Sequence, residues 1–135
     1  MTPAAEQGLG APGEDEGDDV AVRRAVLAAR AADDKQGVDP VVLDVGRVLA
    51  ITDYFVITSA PNTRLVRTLA EEIEARVKAG DGASPRRVEG LGEASWVLLD
   101  YGDVVVHVFL DETRRFYDLE RLWSDVPRVD WRSVV

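Results

Sequence analysis

The block from Ser95 to Leu110 constrains the fold of this chain more than any other segment. Two β-rich runs, Ser95 to Asp100 and Val104 to Leu110, flank Tyr101-Gly102. Such runs around a short loop containing Gly read as an antiparallel hairpin. Within the second run, alternation puts Val104, Val106 and Val108 on one face and Val105, His107 and Phe109 on the other. A sheet with at least one apolar face must bury that face against another layer.

The remainder of the chain supplies that layer. Val22, Ala25, Val26 and Ala29 form one apolar stripe and predict a helix from Val20 to Lys35, with Asp18 or Asp19 as its cap and Gly37 past its end. Asp39-Pro40 forces an extended approach to a short strand, Val41 to Val45. Leu49 and Ile51 are expected to point inward from the connection that follows, and Asp53 to Ser59 is a second strand. Asn62 caps a helix running to about Lys78, whose stripe is Val66, Leu69, Ala70, Ile73 and Val77. Arg87 to Glu89 is a short strand. Asp111 is expected to cap a last helix, Glu112 to Trp123, with Phe116, Leu119, Leu122 and Trp123 inward. Residues 126–135 form a weakly structured tail with Trp131 as its pin. The order predicts a single α/β domain with a mixed sheet of about five strands and helices packed on it. The strands at Val41 and Tyr54 can pair either way.

Charge divides the chain. The formal net charge is −9 over 135 residues, yet six acids and no Lys or Arg lie before Val20, so residues 20–135 carry only −3. Residues 1–19 hold two Pro, four Gly and one large aliphatic residue, Leu9. Such a segment cannot offset its ordering entropy by burial, and it reads as an acidic disordered leader. The acidic balance argues against direct binding of nucleic acid, which needs a basic patch to release counterions. It suits a basic protein partner. There is no apolar run near the roughly 20 residues that span a bilayer, no secretory signal pattern in residues 1–20, and no Cys. These features point to the cytoplasm and exclude disulfide, zinc-ribbon and cysteine-nucleophile chemistry.

Catalytic equipment is sparse. His107 is the sole histidine, and no Gly-x-Ser-x-Gly elbow presents Ser59 or Ser95 to it. A hydrogen-bonded histidine half-buried in a strand accounts for it better. Asp100 and Asp103 flank the hairpin turn and could hold Mg²⁺, but Asp at such places serves turn chemistry alone more often. No phosphate-binding glycine motif is present. No catalytic residue, metal site or cofactor is expected. A binding surface is the stronger reading. Trp96 starts a strand and shares its face with Leu98 and Asp100, and Glu93, Asp100 and Asp103 would ring it with negative charge. Trp96 packed beneath the last helix is the alternative. Arg114-Arg115, near a helix start, sits unfavourably for the helix dipole and suggests a partner, or pairing with Asp111 and Asp118.

Three stretches are similar to one known family: Ile51-Thr52-Asp53-Tyr54-Phe55-Val56-Ile57, the block Trp96 to Phe109, and Arg114-Arg115-Phe116-Tyr117-Asp118-Leu119-Glu120-Arg121-Leu122-Trp123. They resemble the ribosomal silencing factors (RsfS, or Iojap-like proteins), in order and spacing, over residues 20–125. The resemblance implies a nucleotidyltransferase-like α/β domain without enzymatic activity. It implies binding to the large ribosomal subunit through the intersubunit-face protein numbered fourteen in the universal scheme (uL14). Docking there would sterically block subunit joining and repress translation in starvation or stationary phase. It also implies a homodimer as one state of the free protein. The family's contact surface maps onto Trp96, Leu98, Asp100 and Asp103, with His107, Arg114 and Tyr117 as neighbours. The rival is a degenerate nucleotidyltransferase using Asp100 and Asp103 with Mg²⁺. Those enzymes need Gly-Ser followed by Asp-x-Asp, whereas Ser59 here is followed by Ala60-Pro61 and no Asp-x-Asp occurs downstream.

Overall fold

A computed structural model describes residues 12–134. The elements are α1 (Pro12–Asp34), β1 (Val38–Asp44), β2 (Tyr54–Ala60), α2 (Thr63–Asp81), β3 (Arg87–Glu89), β4 (Trp96–Asp100), β5 (Val104–Leu110), α3 (Asp111–Tyr117) and α4 (Leu119–Leu122). The sheet has the order β1-β2-β5-β4-β3. β2 and β5 are parallel, and the other neighbouring pairs are antiparallel, including β1 with β2. The sheet is therefore mixed, and it forms one α/β domain.

The two faces of the sheet follow the alternation of each strand. Val42, Val56, Val97, Leu99, Val104, Val106 and Val108 join the stripes of α1 and α2 in the main core. The opposite face carries Val41, Leu43, Ile57 and Phe109, covered in part by Leu119, Trp123 and Val126. α2 starts as expected, with Asn62 Oδ1 accepting from the Leu65 amide at 2.8 Å, and it ends on Gly82 in the left-handed region at φ 79°. At the end of α1 the left-handed residue is Gln36, at φ 68°, and not Gly37. Gly37 is needed for space: a Cβ there would lie 2.7 Å from Thr58 Oγ1.

Five expectations change. The helix expected from Val20 starts at Pro12, inside the segment read as an acidic leader. Proline at a first helical position loses no hydrogen bond and arrives with a helical φ. Residues 1–11 of that leader lie outside the described residues. β1 starts at Val38, with a shift of register between Val38 and Val41 that accommodates Asp39-Pro40. Ile51 is 82% exposed, and of the two residues expected to point inward only Leu49 does so. The last helix is two helices, because Asp118 adopts a left-handed conformation at φ 48°. The break resets the helical phase. Leu119 and Trp123 still face the sheet, but Phe116 and Leu122 are exposed. Leu110, without a side-chain bond, stands at the cap position expected for Asp111.

The C-terminal segment is ordered along the free edge of β1. The Asp44 amide donates to Pro127 O and the Val129 amide to Val42 O, each at 2.9 Å. Trp131 is buried and donates from Nε1 to Pro40 O at 2.8 Å.

Candidate partner-binding site

β4 places Trp96 and Leu98 on the face away from α1 and α2, beside His107 and Phe109 of β5 through the pairs Trp96↔Phe109 and Leu98↔His107. This half of the face is left uncovered by α4. Trp96 is half-buried. Its ring lies 4.8 Å from that of Phe109 and 4.9 Å from that of Tyr117, centroid to centroid. The rings form a continuous series: Trp123 against Phe55, Phe55 against His107, His107 against Trp96, Trp96 against Tyr117 and Tyr117 against Phe116. Offset and edge contacts of this kind add to the area they bury. Two shallow grooves flank Trp96. One is lined by Ser95, Glu112, Thr113, Phe116 and Tyr117, and the other by Glu89, Gly90 and Leu98.

His107 sits at the centre of this series, buried. Its Nδ1 accepts from Trp96 Nε1 at 3.1 Å, so the neutral ring carries its proton on Nε2. Nε2 is buried and has no hydrogen-bond partner among the described residues. Burial pushes the imidazole from its ordinary 6.5 down to about 4. The hydrogen bond expected of this histidine is thus made with an indole. A ring that remains neutral and hydrogen-bonded fixes the orientation of Trp96.

Asp100 and Asp103 turn to partners other than Trp96. Asp100 is buried, accepts from the Gly102 amide at 2.8 Å, and lies 3.6 Å from both Arg86 and Arg87. Asp103 meets Arg24 of α1 at 2.8 Å, and Arg24 also bonds Asp81. The two aspartates turn to different arginines and form no shared site. Among the described residues no group of three or more His, Asp or Glu could hold a metal, and no helix is long and apolar enough to cross a membrane.

Arg114 is buried as well. It bonds Glu120, Ser59 and the carbonyls of Val38 and Asp39, in place of the Asp111 and Asp118 expected. Of the seven expected contact residues, Trp96, Leu98 and Tyr117 lie together on the open face. His107 lies directly beneath them, and Asp100, Asp103 and Arg114 are engaged within the fold. Sequence reasoning missed Phe116 and Glu89 as groove walls. The first was masked by the break at Asp118, and the second follows only from the pairing Glu89↔Leu98.

The family model described as "Ribosomal silencing factor during starvation" matches residues 19–135. The chain is 41% identical over 104 residues to the ribosomal silencing factor RsfS of Bacillus subtilis, covering 77% of this chain and 87% of that protein. It is 34% identical over 113 residues to the chloroplastic protein Iojap of Zea mays, covering 78% of this chain and 46% of that one. A crystal structure of a protein from Chromobacterium violaceum superposes with a TM-score of 0.72 at 33% identity, over 76% of this chain and 84% of that one.

Proposed function

We infer the function from a fact of membership: the chain belongs to the ribosomal silencing factor family. Its role is to associate with the large ribosomal subunit and, in the cytoplasm, to repress translation under starvation by standing where the small subunit must join. The docking partner is the intersubunit-face protein uL14, and the contact is the open face at Trp96, Leu98 and Tyr117, braced by His107. The observation that carries this reading is the row of rings flanked by two grooves on an otherwise covered sheet. Half-buried Trp and Tyr beside grooves have the composition of interface anchors. With −3 over residues 20–135, the domain suits a basic protein surface and lacks the cationic excess that RNA would require. Steric exclusion needs a tight contact and bulk, and no bond making. A homodimer that used the same face would have to open before docking.

The nucleotidyltransferase reading finds no support in the geometry. Ser59, which stands where such enzymes use a serine, is buried and accepts from Arg114 at 3.0 Å, and Asp100 and Asp103 bond different arginines.

Leu98→Arg tests the surface, since Leu98 is only partly buried and its replacement leaves the main core intact. The variant should melt like the wild type and lose co-sedimentation with purified large subunits by at least about tenfold, the scale of a central contact. It should also fail to slow subunit joining in a light-scattering assay. Wild-type co-sedimentation by Leu98→Arg and Tyr117→Ala would overturn the surface. Absence of binding by the wild type would overturn the function.

A further inference from the structure

α3 has seven residues, and the one buried side chain among them is a cation, Arg114. A helix of two turns is too short to persist by itself, and this one lacks a side-chain N-cap bond. Its aromatic residues do not anchor it, because Phe116 is 80% exposed and Tyr117 51% exposed. Something else must hold the helix on the sheet.

The guanidinium makes the required bonds. Nε donates to Glu120 Oε1 at 3.1 Å, Nη1 to Val38 O at 2.8 Å and Ser59 Oγ at 3.0 Å, and Nη2 to Asp39 O at 2.8 Å and Glu120 Oε2 at 3.1 Å. All five N–H donors are engaged, and they reach three separate elements: the start of β1, the end of β2, and α4. Such a planar fork is beyond lysine, which offers three donors on one atom. The forked pair with Glu120 spans Asp118, whose left-handed backbone separates α3 from α4, so it fixes the angle between the two helices. Arg114 thus ties α3 to β1 and β2. One turn further on, Tyr117 meets Trp96 of β4.

We propose that Arg114, through its forked pair with Glu120, is the positioning residue of the docking face: it touches no partner and sets Tyr117 against Trp96, completing the wall of the groove that Ser95, Glu112, Thr113 and Phe116 also line. The proposal rests on the functional reading above for its consequence, and on the fold alone for its geometry.

Two arms test it. In the free protein, nuclear Overhauser contacts between the Tyr117 and Trp96 rings, and the Trp96 indole N–H resonance, report the wall directly. In the second arm, affinity for purified large subunits is measured for Arg114→Lys, Tyr117→Ala and the double variant. Arg114→Lys keeps the charge and most of the stem, and should hold a cooperative melt while losing the Tyr117–Trp96 contacts. Its affinity should fall about as far as that of Tyr117→Ala, and the double variant should fall no further, since both remove one wall. Glu120→Gln, which keeps size and weakens the fork, should move the ring contacts and the affinity in the same direction by less. It provides the test where Arg114→Lys does not fold. Retained ring contacts in both variants, or losses that add in the double variant, would overturn the proposal. Failure of the wild type to bind large subunits would sink the ribosomal reading, and the ring contacts would still decide the positioning.

Discussion

Replacing Trp131 measures how firmly the C-terminal segment belongs to the core. The side chain is 6% exposed and lies in the main cluster between the sheet and α1. A buried tryptophan removes on the order of 200 Å² from water, which at about 25 cal/mol per Å² corresponds to roughly 5 kcal/mol as an upper bound. Measured truncations of Phe and Trp to Ala cost about 3–5 kcal/mol. The Arg132 guanidinium, 4.2 Å from the ring centroid, adds little because its own side chain is 58% exposed. Trp131→Ala is therefore expected to cost about 3–5 kcal/mol. Trp131→Phe keeps most of the apolar area and orphans the Pro40 carbonyl that Nε1 reaches at 2.8 Å, which costs roughly 1–3 kcal/mol. Urea unfolding followed by circular dichroism, with linear extrapolation to water, resolves both values. Hydrogen exchange adds a local readout: the Asp44 amide, bonded to Pro127 O, should lose protection in Trp131→Ala. A cost below about 1 kcal/mol for Trp131→Ala, in the range of an ordinary surface substitution, would refute the inclusion of this segment in the core.

Two further substitutions probe the floor of the docking face. His107 titrates near 6.5 when exposed and at about 4 when folded, so below pH 6.5 the unfolded chain takes up a proton that the folded chain refuses. Its contribution is complete above pH 6.5 and is lost as pH falls toward 4, by on the order of 3 kcal/mol. His107→Phe should remove that part of the acid dependence, read as the difference between the two stability-versus-pH curves. Parallel curves across the window would contradict it. Gly90 has φ 89°, and a Cβ there would sit 2.1 Å from the Trp96 carbonyl oxygen. Gly90→Ala should cost about 2–4 kcal/mol from strain and displaced backbone, seen as a lowered Tm. A wild-type melt would show that the close approach is not rigid.

Much of the fold could be read from local pattern. The alternation in Val104 to Phe109 assigned both faces of β5, and the stripe from Val66 to Val77 assigned the buried side of α2. Asn62 marked its own helix start, because a side-chain cap is a contact between residues three apart. That Trp96, Leu98 and Tyr117 come together on one open face could be anticipated, because they lie within the hairpin and the following helix. What local pattern did not reveal is the pairing of Asp103 with Arg24, 79 positions away, and the exposure of Phe116, which follows from one left-handed residue. Aspartate tolerates that conformation, but nothing in Tyr117-Asp118-Leu119 demands it.

The sequence by itself determined the five strands, the presence of the two long helices, the order of these elements and the family. Backbone periods of 2 and 3.6 convert residue order into apolar faces without reference to the rest of the chain. Only the tertiary structure decided that β2 and β5 are parallel neighbours while β1 and β2 are antiparallel, and that the final residues close the edge of β1. It also decided which polar side chains remain outside. Arg114 and Asp103 are charged residues in a surface-like composition; Arg114 became buried and Asp103 half-buried, each bonded to partners on other elements. Apolar burial is non-directional and leaves its pattern in the sequence. A guanidinium that spends its donors on a carboxylate, a hydroxyl and two carbonyls leaves none, because β1 and β2, which hold the hydroxyl and both carbonyls, meet it only when the chain has folded.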